Sequence, residues 1–368
     1  VAALELDWYA ADLRTGLIVE ELRSLAPGGP LSARMGQSSS LQADLTVAGA
    51  PRGWIAATEP GRTMAVAVDR LTQQPLWPGM VLSQTRGSAS TAQLALATPE
   101  AYFDRRYTGG YTGTGQDEAV ILTGTGSALL VQAPCFVFDT LATGSVMDYS
   151  VADADDRTVL STWQELAGLD SGPEWTVGVE WADNTFTGFV LPIRIRSRLG
   201  VQSAVPQVVF DFPGCVSSYS QTLSYEAGKG ATQVMAWGDG QGADRLHSDV
   251  YTATDLETAG WPRYTYRFTP AAGLTDPDQL NRHAASELAQ LRGGTSSWTV
   301  TATASVAPRL GLDWGLGDSL RLLVAGPGPG EDTGPSPGHP AGADIVARAY
   351  GWDLDAAADT IAPILLED

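Results

Sequence analysis

Ser297-Trp298-Thr299-Val300-Thr301-Ala302-Thr303-Ala304 sets apolar residues against hydroxyl-bearing ones at every second position, the period of a strand with one buried face. Upstream, Val208, Phe210 and Phe212 alternate in the same way, and β-type stretches run from Gln207 to Trp237. A helical and loop-rich passage separates the two. The pattern resumes from Ser297 to Val324 and ends in a strand around Asp344 to Asp355. The two segments therefore read as one β unit, opened at Gly238 and closed again after Gly294.

Leu4 to Ala97 reads as a similar unit without the interruption. Leu4, Leu6 and Trp8 alternate with Glu5 and Asp7, and Thr15-Gly16 turns the chain into Leu17 to Leu22 as a hairpin. Leu31 to Gly36 and Leu41 to Val47 follow as strands, Pro51 to Thr58 as a helical turn, and Thr63 to Asp69 with Leu76 to Arg86 as a second hairpin. Thr91 to Ala97 closes the series. Short strands at such spacing predict a small barrel or sandwich.

The expected fold class is α+β, mainly β: two related antiparallel β units, each a small barrel or sandwich, with smaller α/β modules, the second unit split by an insert. The boundaries are 1–97 for the first β unit, 98–205 for an α+β module, 206–238 with 295–368 for the second β unit, and 239–294 for the insert.

In the module, Thr98-Pro99-Glu100 opens a helix, Thr108 to Gly115 reads as a loop, and Ala119 to Val131 is an apolar run whose helicity Gly124 and Gly126 weaken. Val159, Leu160, Trp163, Leu166 and Ala167 place a helix in Asp155 to Ala167. Glu174 to Trp181 and Thr185 to Leu191 form a hairpin across Asp183-Asn184. Gln221 to Glu226 and Ala231 to Trp237 form another across Gly228-Lys229-Gly230. In the insert, Thr275 caps a helix running from Asp276 to Arg292, with Leu280, Ala284, Leu288 and Leu291 on its buried stripe. Gly326 to Gly342 is a Pro/Gly loop expected to be exposed and mobile.

Composition narrows the function. Forty-two acidic residues face 22 basic ones for a formal charge of −20, and Lys229 is the only lysine. Phosphate neutralisation needs clustered Lys and Arg, so stable nucleic-acid binding is disfavoured. A surface that DNA passes without sticking remains compatible. Val1 to Asp12 lacks the pattern of a secretion signal, and no apolar run reaches the roughly twenty residues that span a bilayer, so a soluble chain made inside a cell is expected. Cys135 and Cys215 are expected to be buried free thiols.

Chemistry-bearing motifs are sparse. His247, His283 and His339 lie at no metal-ligand spacing from one another or from either cysteine. Gly238-Asp239-Gly240-Gln241-Gly242 misplaces the third glycine of a dinucleotide loop and reads as a tight exit turn. Asp153, Asp155 and Asp156 lack the rest of a calcium loop and read as a charge cluster before a helix. Ile193 to Arg198 puts Arg194, Arg196 and Arg198 on one strand face, either a strip meeting an acidic neighbour or a solvated face. Glu174 and Glu180 share a strand face near Trp163, Trp175 and Trp181, and paired carboxylates can run glycoside hydrolysis. Tryptophans in strands are more often core. The expectation is no catalytic, cofactor-binding or metal-ligating residue.

Seven stretches, taken in order, carry a family resemblance: Trp8 to Gly16, Leu76 to Gly79, Tyr102 to Arg106, Gly172 to Val177, Ala236 to Gly240, Ala259 to Pro262 and Leu316 to Asp318. Together they resemble the minor tail proteins of long-tailed phages of high-GC Gram-positive bacteria, the tail-hub or baseplate-hub type. The resemblance implies tube-type barrels and a homotrimeric ring of six of them continuing the tail tube at the virion's tail tip. Its implied partners are the distal tail protein, the tape-measure protein and other tip proteins, with DNA only in transit during ejection. The alternatives are a tip-borne or secreted carbohydrate-active enzyme using Glu174 and Glu180, and a host-glycan-binding module.

Overall fold

The computed structural model describes residues 3–366 apart from 170, 239, 241, 243, 244 and 271–276. The chain divides into two compact units, Val1–Tyr219 with Val300–Leu366, and Ser220–Thr299. It is mainly β.

The first unit begins with β1 (Leu6–Asp12), β2 (Ile18–Glu21), β3 (Leu25–Pro27), β4 (Leu31–Arg34), β5 (Ser40–Thr46), β6 (Thr63–Asp69), β7 (Pro75–Thr85) and β8 (Thr91–Ala97), with the one-turn helix α1 (Trp54–Ala57) after β5. Seven of them form a sheet in the order β2-β1-β6-β7-β8-β5-β3, each neighbouring pair antiparallel. Its two end strands are joined by Leu22-Arg23-Ser24 alone. Flat, seven strands would set those ends roughly 29 Å apart, whereas such a link spans at most about 14 Å. The sheet must curl. Strand β5 shows why one face goes inward: Leu41, Ala43 and Leu45 are buried while Gln42 and Asp44 are exposed. Every residue of β6 is buried, so both of its faces are covered.

One strand departs from the expected plan. Leu31 to Gly36, read as part of the first β unit, supplies β4, which pairs instead with a C-terminal strand, Leu31 opposite Leu354 and Arg34 opposite Gly351. Alternation fixes which face of a strand is buried but does not name its neighbour.

The module that follows contains α2 (Glu100–Phe103), β9 (Tyr111–Asp117), α3 (Glu118–Thr125), β10 (Phe136–Thr140), β11 (Val146–Val151), α4 (Val159–Ala167), β12 (Glu174–Val177), β13 (Glu180–Trp181) and β14 (Phe189–Arg196). Strands β10 and β12 flank β14, the first parallel and the second antiparallel, and β13 also pairs with β14. The Thr108 to Gly115 stretch, expected as a loop, largely becomes β9 paired with β11. The Ala119 to Val131 run is helical only as far as Thr125, and a 3-10 turn covers Ser127–Leu130. Its glycines admit close neighbours: a Cβ at Gly124 would meet the Tyr111 ring at 2.3 Å and one at Gly126 the Trp163 ring at 2.5 Å. Met64, Val66, Phe103, Trp163, Trp175, Phe189 and Ile193 belong to one buried cluster, which joins this module to the first sheet.

The remaining strands are β15 (Val209–Phe212), β16 (Val216–Ser224), β17 (Gln233–Ala236), β18 (Tyr251–Thr252), β19 (Thr265–Phe268), β20 (Thr295–Thr303), β21 (Ser319–Val324), β22 (Ala343–Asp355) and β23 (Thr360–Leu366). The second large sheet runs β15-β21-β22-β23-β20-β16, with β4 added on β22. Its end strands too are consecutive, joined by Pro213-Gly214-Cys215, so the same reach argument curls it. In β20, Trp298, Val300 and Ala302 are buried as the alternation requires. The Pro/Gly loop is largely exposed, as expected, and is anchored near Ser336, which is buried: Tyr219 hydrogen-bonds both the Ser336 Oγ and His339 Nδ1, and Gly334 N–H donates to Pro340 O at 2.7 Å.

In the second unit β17 sits between β18 and β19, and Val234 and Ala236 pack with Leu280, Ala284 and Leu291 of α6 (Pro277–Leu291); a short helix, α5, covers Thr254–Thr258. This corrects the expected hairpin of Gln221 to Glu226 with Ala231 to Trp237. Strand β17 takes partners inside this unit, whereas β16 is an end strand of the large sheet. Thr275 and Asp276, expected at the start of α6, and Asp239 and Gln241 of the expected exit turn, lie outside the described residues.

Candidate functional site

Three ion pairs meet where the first sheet, the module and the second large sheet come together in the first unit. Glu174 on β12 accepts from Arg348 on β22 at 2.8 and 2.7 Å, and from Arg198 Nη1 at 3.0 Å and Leu199 N–H at 2.7 Å. Arg348 donates further to Gly317 O and Leu199 O. Burial alone would raise the Glu174 carboxyl, but the hydrogen bonds from Arg348, Leu199 and Arg198 outweigh it and hold it below the usual range. Arg309 Nη2 reaches the buried Asp69 of β6 at 2.8 Å, and half-buried Arg34 of β4 donates through Nη2 to both carboxylate oxygens of Asp353 of β22 at 2.8 and 2.9 Å. The Glu174–Arg348 and Asp69–Arg309 charges are largely withdrawn from water, so each of these depends on its partner remaining in place.

Backbone contact at the same junction is close. A Cβ at Gly200, whose φ is +74°, would lie 2.2 Å from the Gly317 carbonyl carbon, and Val201 N–H donates to Asp318 at 2.6 Å. Beside it lies a cavity of about 310 Å³ lined by Trp77, Glu100, Thr176, Arg194, Asp318 and Trp352, among others. Glu100 is 3% exposed; its Oε1 accepts from Val177 N–H at 3.2 Å, while its Oε2 and the Thr176 hydroxyl are buried without a hydrogen-bond partner. Burial pushes its carboxyl up to about 7.

The candidate residues of the sequence fall into this framework or away from it. Glu174 and Glu180 lie on separate short strands, and Glu180 pairs with Arg194. Both carboxylates are engaged by guanidinium groups, and Glu174 is held ionised where a glycosidase acid needs a raised pKa. Arg194 and Arg196 meet Asp139, and Arg198 meets Glu174, so the basic strip faces acids of its own chain. Trp163 and Trp175 are core, their rings 5.1 Å apart, and Trp181 stacks on Phe189 at 4.4 Å.

Asp155 accepts from the Ala152 N–H in a 3-10 turn ahead of α4, which Thr158 caps. Cys135 is half-buried and Cys215 buried, both free, with burial pushing each thiol up to about 11. Among the described residues no group of three or more His, Cys, Asp or Glu could hold a metal ion, and no helix is long and apolar enough to cross a membrane. Sequence reasoning missed Arg348 and Glu100; the one signal for Arg348 is a lone charge inside the apolar run Ile345 to Ala349.

No protein-family model matches the chain, and no curated protein does. Among solved structures it is similar to the 43 kDa tail protein of prophage MuSo2 from Shewanella oneidensis, with a TM-score of 0.59 at 12% identity over 99% of this chain and 98% of that one. A tail protein from Neisseria meningitidis gives 0.57 at 12% identity over 98% and 96%. Prophage tail protein gp18 from Listeria monocytogenes gives 0.53 at 8% identity over 98% and 94%. At such identities the likeness is one of fold, and it extends over nearly the whole of each chain.

Proposed function

We propose that the chain is a structural component of a phage-type tail, the hub at the distal end of the tail tube. The observation that carries the reading is its end-to-end likeness in fold to the three tail proteins. The junction supports a mechanical role: two curled sheets and the module are fastened by buried ion pairs and by β4. In this reading three copies close into a ring of six barrels, because a closed ring limits its own growth and leaves no subunit face unmatched. The ring bridges the distal tail protein and the tip proteins around the tape measure, and DNA crosses it at ejection. A net charge of −20 suits a wall that repels phosphate.

The test is the particle itself. Negative-stain images and the mass in solution of the purified protein, alone and with the distal tail protein, should give threefold rings. A chain that stays monomeric in both, or a ring whose inner wall is strongly basic, overturns the hub reading.

A further inference from the structure

The cavity of about 310 Å³ in the first unit is bordered by two polar side chains with spare bonding capacity. Its walls are largely apolar, Leu76, Trp77, Val177, Leu310 and Trp352 among them. The charged groups that also border it have partners of their own. Arg34 of β4 pairs with Asp353, Arg194 of β14 with Asp139 and Glu180, and Asp318, just before β21, accepts from the Val201 and Gly315 amides. Glu100 Oε2 and the Thr176 hydroxyl are left over, on residues that are 3% and 5% exposed.

Glu100 differs from the other carboxylates of this junction. Asp69 and Glu174 each hold an arginine, whereas Glu100 forms no ion pair with any described residue. Every Lys, Arg and His of the chain is among the described residues, so no basic side chain remains to fill that place. Its carboxyl is raised by burial and lowered only by hydrogen bonds from Thr98, its own amide and Val177, with no charge contributing. A carboxyl withdrawn from water stays protonated or takes a cation.

We propose that this cavity binds a primary ammonium on an apolar stem, the ammonium bonded to Glu100 and Thr176 and the stem packed among the indole and leucine walls. An ammonium brings three donors and no acceptor, which suits a carboxylate beside a hydroxyl oxygen. The volume lies at the small end of the range for ligand pockets, enough for a short stem. An anion would meet a carboxyl that has no cation to offset it. The ammonium is that of a free amine or of a lysine on another protein, since Lys229, the only lysine of this chain, pairs with Glu226. The inference is independent of the hub reading, because it rests on side chains of the first unit alone.

The full chain is titrated calorimetrically at pH 8 with n-butylammonium and with n-butanol, its uncharged match. Saturable binding of butylammonium is expected, at least tenfold tighter than butanol, weakened tenfold or more by Glu100→Gln and several-fold by Thr176→Val. Asp332→Asn, which removes an exposed acid, should leave it unchanged. Thermal melts of each variant confirm that it is folded. On the wild type at pH 6, where Glu100 holds a proton that the ammonium displaces, binding should weaken and release about one proton, read from buffers of different ionisation heat. N-acetyl-lysine methylamide separates the sources: its binding admits a lysine of another protein, and binding of butylammonium alone points to a free amine. No saturable binding of butylammonium, butanol binding as tightly, equal binding by the folded Glu100→Gln variant, or no proton released at pH 6 overturns the site.

Discussion

Glu100 and Glu174 are both carboxylates at one junction, and their surroundings drive them in opposite directions. Burial raises the Glu100 carboxyl from 4.5 to about 7, so the folded chain keeps a proton that the unfolded chain releases. Its contribution to stability is full below 4.5 and is lost as pH rises through about 7, a change of up to about 3 kcal/mol. Glu100→Gln should therefore match the wild type near pH 4.5 and exceed it near pH 8 in urea denaturation; an equal gap at both would mean that Glu100 titrates normally. Glu174 is the reverse case, since its folded pKa is depressed. Its contribution is present above the ordinary carboxylate range and lost as pH falls through the lowered value, so Glu174→Gln should flatten the acid limb of the stability curve. Arg348→Ala, which leaves Glu174 buried and short of its bidentate partner, should cost roughly 3–5 kcal/mol by the same measurement.

Strand β4 is the element on which sequence and structure part. Its pattern made it a strand, and a strand it is, but register against β22 is fixed by contacts three hundred residues away in the chain. Gly351 shows what those contacts demand: a Cβ there would lie 2.5 Å from Arg34 Cδ and 2.9 Å from Ala33 O. Gly351→Ala should thus lift β4 from β22 at a cost of about 1–3 kcal/mol, seen as faster amide exchange at Leu31–Arg34 than in the wild type while β6 stays protected. What could be read from the chain was local: the alternation of β5 and β20, the hairpin of β1 with β2, the buried stripe of α6. The fate of Ala231 to Trp237 was not local, because alternation does not say whether a strand's neighbour is Gln221 or Tyr251. The ion-pair junction was hidden for a related reason. Glu174 was visible as a carboxylate, but Arg348, its partner, lies in another sheet.

At the scale of the molecule, the second unit has its own core of Val234, Ala236, Leu280 and Ala284. Its chain enters and leaves at neighbouring points, since a Cβ on Gly294 would sit 2.8 Å from Ser224 O. Replacing residues 226–293 with a short Gly/Ser turn should leave the rest folded, with a cooperative melt; a molten or aggregated product would show that the large sheet needs the insert. The β4–β22 pairing also orders events in time. The first sheet can form as soon as Ala97 has left the ribosome, yet Leu31–Arg34 has no partner until Gly351–Leu354 is made. Through most of synthesis the nascent chain therefore displays an unpaired strand, and its C-terminal segment is the latch that retires it. A chain stopped short of residue 351 would carry that open edge for life, the kind of surface on which β proteins mispair with one another.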